Sequence, residues 1–179
     1  VSGDRAPFRW VSAAATDVGK VRSLNEDAYL DRPDVGLWGV ADGMGGHEAG
    51  DLASRSIVEA LAGIDGQANL GSWVDELRYR LLNVNRALRV EAKGRRESVI
   101  GSTVAALVAL GRHAVAVWAG DSRVYLFRDG TLRPLTHDHS QVEELIAQGS
   151  LTREQAEHHP ANNVITRAVG GDDDLRLDA

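Results

Sequence analysis

A chain of 179 residues, 43% of them hydrophobic, suits one domain that hides roughly 70% of its unfolded surface, so its core needs no covalent staple. Zero cysteines exclude disulfides, thiolate metal sites and cysteine nucleophiles, and fit a reducing compartment. A net charge of −6 argues against a nucleic-acid partner, whose phosphates demand a basic stripe, and the longest apolar run, residues 104–110, is far too short to span a bilayer. The first residues, from Val1, contain no basic region leading into an apolar one, so a soluble protein is expected, with a targeting segment trimmed ahead of Val1 left open.

Residues 10–15 alternate loosely between apolar and polar and predict a strand that enters a loop at Asp17-Val18-Gly19. Residues 37–41 predict a short apolar strand aimed at Asp42. Ala49, Leu52, Ala53, Ile57, Ala60 and Leu61 recur at helical spacing, which predicts a helix over 48–61 stopped by Gly63. A longer amphipathic helix follows over 72–92, with Ser72 and Asp75 as a capping pair and Gly94 as its end. Trp73, Leu77, Leu81, Val84 and Leu88 line its apolar face.

The pattern then changes to β, over 103–110, 113–119, 123–127 and 131–135. Short glycine-bearing connections at Gly111-Arg112, Gly120-Asp121-Ser122 and Asp129-Gly130 predict an antiparallel meander. Residues 139–148 read as a helix, and Thr152 with Gln155 forms a capping box before Pro160. With no internal repeat or linker, one α+β domain over 1–179, helices packed on antiparallel sheet, is the economical reading.

The chemistry concentrates in Ala41-Asp42-Gly43-Met44-Gly45-Gly46-His47 and the region just upstream. A carboxylate at the end of an apolar strand, followed by glycines that bare the backbone, presents oxygen ligands to a hard divalent cation. Glu26 and Asp27 add carboxylates, and Gly43 can add its carbonyl, whereas no His-x-x-x-His or cysteine pair offers a zinc site. Two such cations about 4 Å apart would lower the pKa of a trapped water from 15.7 towards about 7 and make it a nucleophile. The planar guanidinium of Arg22 matches two oxygens of a phosphate group. Together these point to phosphoester hydrolysis. Taken singly, each residue has a plainer reading: Asp-Gly as a turn, Glu26 and Asp27 as solvated charges, Arg22 as a surface cation, Asp121 as a hairpin-turn residue. His47 reads as the start of a helix before it reads as a general acid.

What joins these residues is their order. Gly19-x-x-Arg22-x-x-Asn25-Glu26-Asp27-Ala28, the Asp42-Gly43 motif, Gly101-Ser102-Thr103, Ala119-Gly120-Asp121-Ser122-Arg123, Leu135-Thr136-x-Asp138-His139-Ser140 and Asn163-x-Ile165-Thr166-Arg167-Ala168-x-Gly170 follow one another. In that sequence they closely resemble the bacterial type 2C metal-dependent protein serine/threonine phosphatases, over nearly the whole chain.

The resemblance implies two stacked antiparallel β-sheets flanked by helices, an α-β-β-α sandwich, with a dinuclear Mn²⁺ or Mg²⁺ centre at one end. By similarity Asp42 bridges the two ions, the Gly43 carbonyl ligates one, and Glu26 and Asp27 ligate directly or through water. Arg22 grips the substrate phosphate, Asp121 matches a third, weaker ion site of bacterial members, and 141–163 match a mobile flap. Hydrolysis is direct, without a phosphoenzyme, and the implied partners are phosphorylated proteins and a cognate serine/threonine kinase, the complete enzyme being a monomer.

Two departures stand out. Met44 occupies the position where animal relatives carry a proposed leaving-group acid, and it cannot donate a proton. The sequence also stops at Ala179, before the family's later Ser-Asp-Gly and Asp-Asn motifs, so the last strands and ligands are expected to be missing and this chain alone to turn over little. The alternative left open is a pseudophosphatase that binds phosphorylated partners without turnover.

Overall fold

The computed structural model describes residues 9–95 and 99–179. Its centre is a hairpin of β1 (Asp27–Arg32) and β2 (Leu37–Met44), antiparallel in a register that sets Asp27 opposite Asp42. A second hairpin, β4 (Val104–Leu110) and β5 (His113–Ala119), joins it through β2, giving the order β1-β2-β4-β5. The two-residue β3 (Gly101–Ser102) pairs with the end of β2.

Because strand side chains alternate between faces, the sheet sorts its residues into two sets. Leu37, Ala41, Val104, Ala106, Val108, Val117 and Ala119 point to a buried core shared with α1 (His47–Ala62) and α2 (Leu70–Arg95). The helices contribute Ala53, Ile57, Leu61, Trp73, Leu77 and Leu81, all essentially inaccessible to water. Each large side chain so buried is worth about 1.5–3 kcal/mol, which explains why the 3.6-residue period survives intact along both helices. On the opposite face Tyr29 and Val40 stay 40% and 46% exposed, beside Asp27 and Asp42. The sheet therefore carries its core on one side and its acidic residues on the other.

Several sequence expectations hold: α1 matches the expected helix within a residue or two at each end and is capped by Gly63, and β5 spans the expected residues. Thr152 and Gln155 make both halves of a capping box on α4 (Arg153–Glu157). The other late helix, α3 (Gln141–Ala147), starts later than expected because Ser140 caps it.

Other expectations change. Residues 10–15 form no strand; side chains tie them across β1 instead, with Trp10 edge-on to Trp38 at 5.7 Å and Ser12 Oγ donating to Asp31 Oδ1 at 2.6 Å. Helix α2 begins two residues before Ser72, whose N–H donates to Asn69 Oδ1 at 2.9 Å, so the cap is Asn69. The helix also runs through Gly94 to Arg95, where the Glu91–Arg95 ion pair holds the last turn.

The meander breaks after β5. Strands β6 (Tyr125–Arg128) and β7 (Thr131–Pro134) pair with each other in a separate two-stranded sheet, and Gly120-Asp121-Ser122 is a loop rather than a hairpin turn. Its peptide groups are claimed from elsewhere: Gly120 O accepts from His139 N–H at 2.9 Å, and Gly120 N–H donates to His139 Nδ1 at 3.1 Å. The class is nevertheless the expected α+β, with antiparallel sheets and packed helices. Among the described residues no helix is long and apolar enough to cross a membrane.

Candidate active site

Asp42 lies inside β2, and the strand's alternation turns its side chain away from the helical core. Its peptide is held on both sides. The Asp42 N–H donates to Thr103 Oγ1 at 3.1 Å, while its carbonyl accepts from Thr103 N–H and from Ser102 Oγ, both at 2.9 Å. Thr103 Oγ1 in turn lies 2.7 Å from Ser122 Oγ, so one pair of hydroxyls links the Asp42 peptide to the loop that carries Asp121. That loop can approach because residue 120 is glycine: a Cβ there would come within 2.7 Å of Thr103 Cβ.

Removing the hydroxyl has a predictable cost. Thr103→Val keeps the shape and leaves the Asp42 N–H without its acceptor, so a loss of about 1–3 kcal/mol in unfolding free energy is expected from denaturant titration. An unchanged midpoint would show that this hydroxyl bridge is dispensable.

Glu26 reaches the same region through the backbone. Gly43 N–H donates to Glu26 O at 3.0 Å, and the first turns of α1 pass so close that a Cβ on Gly50 would sit 3.0 Å from Glu26 Cδ and from Gly43 C. The Asp27 side of β1 faces Asp42 directly across the ladder. Partial burial pushes the Asp42 carboxyl up to about 6, with Asp27, Asp121 and Glu26 adding repulsion in that order and Arg22 opposing them. The carboxylates expected from the sequence thus lie near enough to Asp42 to act on its charge, and Arg22 opposes them.

Such a donor set fits a hard divalent cation, since every available atom is oxygen and the unrelieved repulsion is what a cation would cancel. It fits as part of a set. Among the described residues no three carboxylate or histidine side chains close on one point tightly enough to enclose an ion by themselves.

A cleft of about 350 Å³ opens over the site, lined in part by Thr16, Asp17, Asp27, Tyr29, Asp42 and Ser122. A larger hollow of about 500 Å³ lies at residues 166–176, but the smaller one is the one that Asp27 and Asp42 line. Asp17 was expected only as a loop residue, and its place in the cleft wall follows from Asp17 Oδ1 accepting from Gly19 N–H at 2.7 Å, a local turn with no periodic signature. Thr103, Ser122 and His139 lay within quoted motifs, yet nothing in their spacing disclosed that they hold the acidic loops in place. Met44 is half-buried at the end of β2, and the side chain of His47 lies outside the described residues.

Known proteins resemble this chain over most of its length. Residues 19–171 match the family profile described as protein phosphatase 2C. The protein phosphatase PhpP of Streptococcus pneumoniae is 36% identical over 170 residues, covering 91% of this chain and 69% of that protein. Among solved structures, PppA, described as a key regulatory component of T6SS in Pseudomonas aeruginosa, superposes with a TM-score of 0.85 at 48% identity, over 93% of this chain and 68% of its own. The catalytic domain of the serine threonine protein phosphatase PstP, in complex with two manganese ions, superposes with a TM-score of 0.78 at 33% identity, over 93% of this chain and 70% of that one. The match over residues 19–171, with a relative 36% identical over 91% of this chain, establishes that this chain belongs to the protein phosphatase 2C family.

Proposed function

We propose that the protein removes phosphate from serine and threonine side chains of phosphorylated proteins, using two Mn²⁺ or Mg²⁺ ions held by Asp42, the Gly43 carbonyl, Glu26 and Asp27, with Asp121 at a further ion position. The observation that carries this reading is the strand register that sets Asp27 opposite Asp42, with Asp121, Glu26 and the cation Arg22 near enough to act on the Asp42 charge. When bound, the ions supply a water activated for direct attack on phosphorus. Arg22 binds and orients the phosphate through its guanidinium, and the wall of the cleft formed by Tyr29 receives the flanking substrate chain. Residues 1–179 act as one domain in this reading. A cytoplasmic monomer opposing a serine/threonine kinase is the cellular setting proposed for it.

Turnover of a phosphothreonine peptide with Mn²⁺ by the whole protein, abolished by chelation, is the expected result. Phosphopeptide binding with no turnover would instead mark a pseudophosphatase. Arg22→Ala should lower kcat/KM by about 10- to 100-fold, chiefly through KM, the size of a lost charge-assisted contact to the phosphate. A variant whose loss lay wholly in kcat, with KM untouched, would remove Arg22 from the role of phosphate clamp.

A further inference from the structure

We propose that His139 is a positioning residue for this site: its neutral imidazole holds the Gly120-Asp121-Ser122 loop, and with it Asp121, in place beside Asp42. The inference rests on the metal-site reading above and adds to it a residue that touches neither metal nor substrate.

The geometry assigns the protons. Gly120 N–H points at His139 Nδ1 at 3.1 Å, so Nδ1 must carry a lone pair. The proton then belongs to Nε2, which faces Asp178 Oδ2 at 3.2 Å. Arg167 Nη1 lies 3.3 Å from the same Nε2, donor against donor, and Asp178 resolves the conflict by accepting from Arg167 through Oδ1 at 2.9 Å. The ring is 7% exposed and stacks on Trp118 with centroids 6.0 Å apart and planes within 8°. Burial, with the Arg167 charge, lowers its pKa against the pull of Asp178, which keeps the acceptor form in place near neutrality.

The backbone of His139 completes the clamp. His139 N–H donates to Gly120 O at 2.9 Å, so a single residue satisfies both peptide groups of Gly120. His139 O accepts from Thr166 N–H at 2.7 Å, and Ser140 bridges to Ile165, closing the base of the segment 141–163. The loop of Asp121 and the base of the flap therefore meet at one residue, the loop through the ring and backbone of His139 and the flap base through its carbonyl. Gly120 sits at φ 107 outside any hairpin, so these bonds to His139 hold its peptide groups on one side of Asp121, while Ser122 and Thr103 hold the other.

The test compares His139→Phe, which keeps the ring volume and the stack on Trp118 but accepts nothing, with His139→Asn, whose Oδ1 stands where Nδ1 was. In the whole protein, His139→Phe should weaken Mn²⁺ binding by calorimetry about tenfold, speed amide exchange at Gly120 by a similar factor, and lower kcat with substrate KM near its original value, the size of one lost buried hydrogen bond. His139→Asn should restore Mn²⁺ affinity and Gly120 protection to within about threefold of the unaltered protein. Equal losses in both variants, or none in His139→Phe, would overturn the proposal. Should His139→Phe fail to fold, His139→Asn alone decides: Gly120 exchange as fast as in an open loop overturns it, retained protection supports it. Nitrogen-15 spectra of the unaltered protein give an independent check, since a proton on Nδ1 instead of Nε2 is incompatible with the clamp. Failure of the unaltered protein to bind Mn²⁺ would overturn the metal-site reading itself.

Discussion

Asp42→Asn is expected to lower turnover of a phosphothreonine peptide by about 10³-fold, roughly 4 kcal/mol of transition-state stabilisation, while making the metal-free protein more stable at pH 7. The second half follows from the direction of the pKa shift. The Asp42 carboxyl rises from an ordinary 3.8 to about 6 in the folded protein, so the folded state takes up the proton more readily than the unfolded one. Below pH 3.8 both states are protonated and folding carries no penalty from this group. As pH rises through about 6 the folded state must hold a charge that burial, Asp27, Asp121 and Glu26 all disfavour, and stability is lost.

Asparagine removes that charge. Because Asp42 remains open to the cleft, the gain is discounted for solvent screening to about 1 kcal/mol at pH 7, vanishing at pH 3 to 4. Urea unfolding in chelator at both pH values measures it, and no gain at pH 7 would mean that the carboxylates do not crowd one another. Added Mn²⁺ should reverse the order, since ligand binding stabilises only the protein that can bind. A residue that weakens the empty fold and serves the loaded one is what a functional site leads one to expect.

Gly43→Ala should be among the most damaging small substitutions in the molecule. A Cβ at residue 43 would stand 2.0 Å from Gly50 O and 2.7 Å from Glu26 O, both backbone atoms that no rotamer change can move. Relief requires α1 to lift from β2, and α1 packs against both β1 and β2 across the core. A loss of about 3 kcal/mol is expected, seen as a fall in Tm of about 6 to 12 °C for a chain of this size. Gly66→Ala, where a methyl meets nothing within 4 Å, is the control and should stay within about 0.5 kcal/mol. Metal affinity should fall along with stability, because the Gly43 carbonyl and the Glu26 carboxyl sit on the two sides of the displaced contact. Equal behaviour of the two variants would remove the close approach of β2 and α1 as the feature that shapes the site.

Local order in the chain accounts for much of what was legible beforehand. The apolar stripe from Ala49 to Leu61, the strand from His113 to Ala119 and the Thr152 capping box each record contacts made within a few residues, so their periodicity or spacing is written in the sequence. Glu26, Asp27, Asp42 and Arg22 are of the types that can supply oxygen ligands and an anion clamp, and it is their order along the chain that sets them apart from turn and surface charges. Where a distant partner decides, the reading failed: residues 10–15 alternate like a strand but make no ladder, and Gly120-Asp121-Ser122 looks like a hairpin turn but is held by His139.

The sequence by itself determined the two helices of the core, the β-rich middle and the stock of acidic and basic groups from which a site could be built. Tertiary structure alone decided that Asp27 faces Asp42, that Thr103 and Ser122 join the Asp42 strand to the Asp121 loop, and that Glu26 arrives beside Gly43. The reason is range: side-chain periodicity reports which face of an element meets the core. Hydrogen bonds such as Asp42 to Thr103, 61 positions apart, exist only once the pairing of β2 with β3 and β4 has brought their strands together.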